Sequence, residues 1–333
     1  MRGLCRYLTI KNSQSRASCY PAKMLCKQKH TLYRPPGEAD SLLLRVADGC
    51  PWNGCTFCGM YKGVPYRFQG LENAEREISK AWKSRPDARR IFLADGDVMH
   101  LDFQTLEKLL IAINHTFKGM VRISLYANGA SLLAKSDDEL RRLKELKLHT
   151  LYMGLESGDN ETLKAVNKRE TAEEMVEAGQ RAQAAGLRMS VMILTGLAGE
   201  LRSGIHARAT ANALNAMQPR LLSALRVIPV PGTPLYEEKT VGRVPSPGAA
   251  PVEGSGPTKF KMLTEKAAME ELRKLIAHLE LDATVFRADH SSNIIPMEGR
   301  FPKDKQRLLA QLDTLLASGQ LDPSSPGHLP WSL

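Results

Sequence analysis

Thiols are scarce in this chain and absent from most of it: six of 333 residues are cysteine, and none lies beyond Cys58. So few in so long a chain exclude a disulfide-stapled miniprotein. Aromatic residues make up only 6%, and no run interleaves them with basic residues in the way that stacks nucleic-acid bases. No stretch approaches the ~20 apolar residues that cross a bilayer, and the start has no apolar run ahead of a small-residue cleavage site. Acids are missing before Glu38, while Arg2, Arg6, Lys11, Arg16, Lys23, Lys27, Lys29 and Arg34 crowd the same segment. These absences point to a cytoplasmic protein, with an organelle address left open by the basic start.

What is present is a core-forming composition, 43% hydrophobic, which suffices for one large domain or one domain with an appendage. The formal net charge of +10 suits an anionic ligand or nucleic acid. A solvated basic tail accounts for much of it, because the excess gathers in the first segment.

Residues 1–38 lack periodicity and read as an irregular basic extension. From 39 to 240, apolar runs that fit strands (41–46, 90–94, 121–126, 149–154, 189–194 and 221–227) alternate with helical periods (72–82, 103–113, 171–185 and 207–217). Ser136-Asp137-Asp138-Glu139 reads as a helix cap, and Gly186 as a helix stop. The strands are apolar without clean alternation, the mark of a parallel sheet covered by helices. Six such units fit an α/β fold, a partial, open (β/α)6 TIM-like barrel; a closed barrel takes eight, and a doubly wound sheet is the rival. Residues 241–258, rich in Gly, Pro, Ser and Ala, read as a linker. Residues 259–333 read as a C-terminal helical extension, with helices at 260–279 and 304–316 around a polar loop at 286–299.

Cys50, Cys55 and Cys58 sit in the loop after the first strand. Thiolate is the preferred ligand of iron–sulfur clusters and of zinc. Structural zinc wants four protein ligands, and no second Cys-x2-Cys follows; a histidine would have to complete such a site. Inert buried thiols fit poorly in a polar loop with Pro51, Asn53 and Gly54. Three thiolates suit an iron–sulfur cube with one iron left open. Cys5, Cys19 and Cys26 are loosely spaced and read as incidental, with a second cluster as the alternative.

Cys50-x4-Cys55-Thr56-Phe57-Cys58 resembles the Cys-x3-Cys-x-aromatic-Cys loop of the radical S-adenosylmethionine enzymes, with one residue added in the first gap. The resemblance runs from Ser41 to Tyr236. Asp95-Gly96-Asp97 takes the place of the family's Gly-Gly-Glu-like turn, with Asp95 where the family has its first glycine. Leu155-Glu156-Ser157-Gly158 is similar to the strand end near the methionine portion or ribose, Met192 to Glu200, with Gly196, to the strand near adenine, and Val227 to Thr233 to the segment beside it. The likeness is greatest to the branch of oxygen-independent coproporphyrinogen oxidases, methylthiotransferases and Elongator-type proteins.

The resemblance implies a 4Fe-4S cluster on Cys50, Cys55 and Cys58, and S-adenosylmethionine bound at the open iron. It implies reductive cleavage to a 5′-deoxyadenosyl radical and hydrogen abstraction from a substrate. A reducing partner such as flavodoxin or ferredoxin would supply the electron. Candidate cofactor contacts are Phe57, Asp95, Gly96, Asp97, Glu156, Gly196 and Arg226; candidate substrate contacts are Tyr126, Arg287, His290 and Asn293. Gly154 and Gly158 leave room for close approach to Glu156. The expected substrate is anionic or a small molecule, with RNA left open. Two other readings stand beside this one: a basic RNA-binding protein with a structural metal, and a protein that only transfers electrons or clusters.

Overall fold

The central strands of the main sheet carry two largely apolar faces, and the helices between them cover one of those faces. The computed structural model describes residues 32–241 and 260–329. The 241–258 linker, apart from its first residue, and Cys5, Cys19 and Cys26 lie outside the described residues. A single 3-10 turn, Pro36–Glu38, precedes β1 (Leu42–Arg45). A short antiparallel pair, β2 (Ala47–Asp48) and β3 (Arg67–Phe68), brackets the cysteine loop. There follow α1 (Leu71–Ser84), β4 (Arg90–Ala94), α2 (Phe103–Thr116), β5 (Arg122–Tyr126), α3 (Gly129–Leu133), α4 (Asp137–Glu145) and β6 (Leu148–Glu156). Then come α5 (Asn160–Ala165), α6 (Ala172–Ala184), β7 (Arg188–Thr195), α7 (Gly199–Met217), β8 (Leu221–Arg226) and α8 (Pro234–Val241). The chain closes with α9 (Glu265–His278), β9 (Val285–Ala288), β10 (Met297–Arg300) and α10 (Lys305–Ala317).

The strands form one eight-stranded sheet in the order β1-β4-β5-β6-β7-β8-β9-β10, parallel except for β10. With helices following the strands from β1 to β8, this is an incomplete (β/α)6-like barrel carrying a C-terminal helical extension. Side chains alternate across each strand. Leu44, Ile91, Leu93, Ile123, Leu125, Leu151 and Val191 face the helices and join Leu106, Leu109, Leu110 and Ile113 of α2 in the main core. Their alternates Leu43, Phe92, Ala94, Tyr126, Tyr152 and Met192 form a separate cluster on the other face. There Phe92, Tyr126 and Tyr152 meet edge to face, with centroids 5.2 to 6.1 Å apart.

The local signals hold where they are chemical. Ser136 and Glu139 form the expected capping box at 3.1 and 2.8 Å, and Gly186 takes φ +83 just past α6. Thr171 and Glu174 form a second box. Two expectations change. Helix α7 begins at Gly199 rather than at 207; Gly199 and Gly204 are weak helix formers that masked the first turns, and the extension meets this end where Glu200 N–H donates to Lys261 O at 3.3 Å. The stretch expected as a polar loop, 286–299, is a hairpin: β9 adds to the sheet beside β8, pairing Ser223 with Arg287. Its short strands, four residues each, carry charged residues that hid the period.

Candidate functional site

The site grows from the carboxyl ends of the parallel strands, where βα folds gather their chemistry. After β1 the chain turns at Gly49, φ +73, where any side chain would strike the Val64 and Pro65 carbonyls. The loop is then stitched on three sides. Thr56 N–H donates to Val166 O at 2.9 Å, and Leu235 N–H of α8 donates to Thr56 O at 3.0 Å. Trp52 Nε1 donates to Asn167 O at 2.8 Å, and Asn167 Nδ2 donates to Gly54 O at 2.9 Å. Asn53 donates to Tyr61 O at 2.6 Å, and Lys62 Nζ donates to Asn53 O at 2.8 Å. Phe57, half-buried, packs on an apolar cluster of Val166, Leu197, Val227 and Leu235. One face of the loop is thereby sealed by residues from the turns after β7 and β8 and from the ends of α5 and α8.

All three cysteines are free and half-buried. Burial, helped by Glu156 and by the neighbouring thiols, pushes Cys55 up to about 12 against the pull of Lys168. Burial also raises Cys58, again with Glu156 and Cys50 contributing and Lys62 opposing. Cys55 and Cys58 thus share the influence of Glu156, while the opposing ammonium is Lys168 for one and Lys62 for the other.

The β4 turn lies directly against the loop. Gly96 N–H donates to Gly49 O at 3.0 Å, and a methyl at Gly96 would stand 2.8 Å from both Cα and Cβ of Cys50. Asp95 and Asp97 are buried rather than solvated. Asp95 takes φ +80 and pairs with Arg45 Nε of β1 at 3.2 Å. Asp97 accepts from Asn128 Nδ2 at 3.0 Å and Ser131 Oγ at 2.6 Å, while its Oδ1 is buried without a hydrogen-bond partner.

Burial lifts Asp97 to about 7 against the hydrogen bonds from Ser131 and Asn128. That value is above the ordinary carboxylate range, so between about pH 4 and pH 7 the folded protein holds a proton the unfolded chain has lost. Stability contributed by this group therefore falls as pH rises through the window and is flat above it. Asp97→Asn cannot ionise. Between pH 5 and 8 it is expected to gain about 3 kcal/mol on the wild type, read from urea unfolding at the two pH values.

Glu156 ends β6 in the left-handed region, φ +62, at a bulge where the pairing with β7 skips a residue. Its side chain is 14% exposed, and Lys168 Nζ stands 3.9 Å from its Oε1 while donating to Gly154 O at 2.7 Å. Burial pushes Glu156 up against that ammonium. Burial works to lower Lys168, yet Glu156 and Glu170 outweigh it and hold the ammonium above its ordinary value. The glycines beside Glu156 serve packing. The Glu156 carboxylate occupies the space a Gly154 side chain would need, and Gly158 lies against the Ala209–Thr210 backbone of α7.

Gly196, φ +79, turns the chain after β7, and its N–H donates to Glu271 Oε1 of α9 at 2.6 Å. Arg226 at the end of β8 faces carbonyls rather than an anion. Its Nε donates to Ser292 O and an Nη to Pro326 O, both at 2.8 Å, while Glu200 pairs with Lys261 at 2.9 Å. Arg226→Leu would strand those carbonyls. It is expected to cost about 2–4 kcal/mol in urea unfolding.

The four candidate substrate residues separate into two groups. Tyr126 sits on β5 against Phe92 and Tyr152. Arg287, His290 and Asn293 belong to the β9–β10 hairpin, where Arg287 pairs with Asp289 at 3.6 Å, His290 contacts Ser292 at 2.8 Å and Asn293 donates to Ala224 O at 2.9 Å. Sequence reasoning passed over Arg45, Lys168 and Glu271. Arg45 closes an apolar strand run, Lys168 sits in a charged stretch between helices, and Glu271 reads as one more polar residue of an amphipathic helix. No local pattern marked them as buried.

Among the described residues, no group of three or more His, Cys, Asp or Glu side chains meets the spacing of a metal centre. The fit to an iron–sulfur cluster therefore rests on the donor set and its cradle. Three thiols share one anchored loop, a turn bare of side chain at Gly96 abuts Cys50, and Phe57 seals a flank. The donors fit the group.

Residues 44–207 match the family model of the radical SAM superfamily, which supports membership of that superfamily. The matched domain is an enzymatic one. The chain is 27% identical over 165 residues to the heme chaperone HemW of Bacillus subtilis (strain 168), covering 49% of this chain and 43% of that protein. It thus spans less than half the length of this curated relative. The solved structure of the radical S-adenosylmethionine methyltransferase TsrM from Kitasatospora setae, with cobalamin and a [4Fe-4S] cluster bound, aligns with a TM-score of 0.54 at 15% identity. It covers 83% of this chain and 61% of that one, a likeness of fold.

Proposed function

We propose that Cys50, Cys55 and Cys58 hold a 4Fe-4S cluster and that the chain cleaves S-adenosylmethionine reductively to draw hydrogen from a substrate. The observation that carries this is the close seat of the β4 turn on the cysteine loop, Gly96 against Cys50, at the mouth of the parallel strands. The cluster, when bound and reduced, supplies the electron that splits the sulfonium into methionine and a 5′-deoxyadenosyl radical.

The chain's own residues supply binding, orientation and exclusion of water. The anchored loop fixes the three sulfurs. The Asp95–Arg45 pair and the Asn128 and Ser131 bonds to Asp97 fix the turn that would meet the methionyl amine. Glu156 and Lys168 offer opposite charges beside the thiols, suited to a zwitterionic amino-acid group. The apolar cluster around Phe57 and Leu197 keeps water from that flank.

The branch of coproporphyrinogen oxidases, methylthiotransferases and Elongator-type proteins is the nearest setting we propose, and HemW is a similar protein in sequence. The electron would come from a low-potential flavodoxin or ferredoxin, in the cytoplasm; among the described residues no helix is long and apolar enough to cross a membrane. The substrate we propose is anionic or small, in keeping with the net charge of +10.

Anaerobically loaded protein, given dithionite and S-adenosylmethionine, is expected to release 5′-deoxyadenosine and methionine in equal amounts. In a deuterated metabolite extract the label is expected in 5′-deoxyadenosine. Release of neither product from protein holding four irons would overturn the reading.

A further inference from the structure

Behind the β7 turn lies a buried polar cluster that no step above uses. Glu271, midway along α9, is 2% exposed, and so is His206 of α7. Glu271 Oε1 accepts the Gly196 amide at 2.6 Å and stands 3.7 Å from His206 Nε2, while its Oε2 is buried without a hydrogen-bond partner. His206 Nδ1 meets Ser157 Oγ at 2.8 Å, and that same oxygen accepts from Asp159 N at 3.0 Å. With the ring hydrogen on Nε2, Nδ1 accepts the serine hydroxyl hydrogen and an N–H faces Glu271; the serine's second lone pair allows the other tautomer as well.

Burying a carboxyl group with one oxygen left unpaired is unfavourable, and an apolar side chain of this size would pack α9 at no such cost. What the carboxylate adds is a grip on two turns at once. It holds the N–H of Gly196, a residue in the left-handed region, and the next residue, Leu197, packs in the apolar cluster that carries Phe57 of the cysteine loop. Through His206 it reaches Ser157, next to Glu156. We propose that Glu271 is a positioning residue. The C-terminal extension, through this one side chain, sets the β6 and β7 turns in the geometry that binds the sulfonium cofactor. This rests on the radical reading above.

Two variants separate positioning from bulk stability. Glu271→Gln keeps an acceptor oxygen at the same reach. Glu271→Asp keeps the carboxyl group but withdraws it by one methylene, roughly 1.5 Å. In the protein as purified, without added cluster, Glu271→Asp is expected to speed hydrogen exchange in 195–199 about tenfold, with Glu271→Gln within about twofold of wild type. In loaded protein the aspartate is expected to raise the KM for S-adenosylmethionine about tenfold with kcat within about twofold, and the glutamine to leave both unchanged. His206→Asn reads the same tether from its other end, with faster exchange in 155–159, and decides the matter if the aspartate variant does not fold. Exchange and KM at wild-type values in Glu271→Asp, or equal impairment in both Glu271 variants, would overturn the proposal. Should wild type itself release no 5′-deoxyadenosine, the radical reading fails, and the exchange measurement still decides the tether.

Discussion

Cys58→Ala is expected to abolish cofactor cleavage while leaving the fold in place. The loop is held by backbone and side-chain bonds from Thr56, Trp52, Asn53 and Lys62 to partners outside the thiols, so losing one half-buried sulfur removes none of its anchors. Cluster retention is another matter. Three thiolates are the whole cysteine supply of the described residues, and removing one leaves two to hold four irons. We expect iron and sulfide content of the loaded protein to fall to a small fraction, and 5′-deoxyadenosine release to drop more than about 1,000-fold, equal to about 4 kcal/mol on the barrier. The melting temperature of unloaded protein should move by no more than a few degrees. Cys50→Ala and Cys55→Ala are expected to match it, because the three act as one unit. Full iron content together with undiminished cleavage in any of these variants would remove the foundation of the proposed function.

Gly96→Ala tests the same centre without touching a ligand. The backbone of Gly96 does not lie in the left-handed region, so alanine is acceptable to the chain itself. The obstacle is space. The added methyl would sit 2.8 Å from Cys50 Cα and Cβ and would collide with the Gly49 carbonyl. Relief to ordinary contact requires the β4 turn and the cysteine loop to part by roughly 1 Å, which in a positioned site costs about 100-fold in rate. Overpacking of this kind costs about 1–3 kcal/mol in stability. The expected result is a folded protein that binds iron but cleaves the cofactor about 100 times more slowly. Measuring cleavage beside urea unfolding and iron content separates this from collapse of the domain. A rate within twofold of wild type would mean that the turn and the loop do not need their close seat.

Much of the scaffold is legible in the sequence for simple reasons. Strands such as 90–94 and 189–194 are largely buried on both faces, so they read as apolar runs interrupted only by Arg90 and Ser190, and the helices between them show one apolar stripe. Ser136 and Gly186 act through local bonds and local backbone freedom, and these survive whatever packs around them. The hairpin at 285–300 was hidden, because its strands are short and carry exposed charges at Arg287, Glu298 and Arg300. The start of α7 was hidden for the converse reason. Gly199 and Gly204 argue against a helix in isolation, yet Gly199, at φ +64 beside the Lys261 carbonyl, opens it.

Around the candidate site the division is similar. The cysteine spacing, Phe57 and the strand-end glycines are patterns along the chain. The partners of Asp95, Asp97, Glu156 and Arg226 lie on other strands and helices, as much as 102 residues away for Arg226 and His328. No stretch of sequence discloses that Arg226 is spent on carbonyls or that Lys168 shadows Glu156.

By itself the chain determined that three thiols would share one loop at the end of an apolar strand, since donor type and spacing are covalent facts. It also determined the alternation of strands and helices, since burial periodicity is written residue by residue. Only the tertiary structure decided which charges meet, that Gly96 presses on Cys50, and that Glu271 reaches Gly196. Those contacts exist only once distant segments are packed together, and burial then fixes what each charge must pair with.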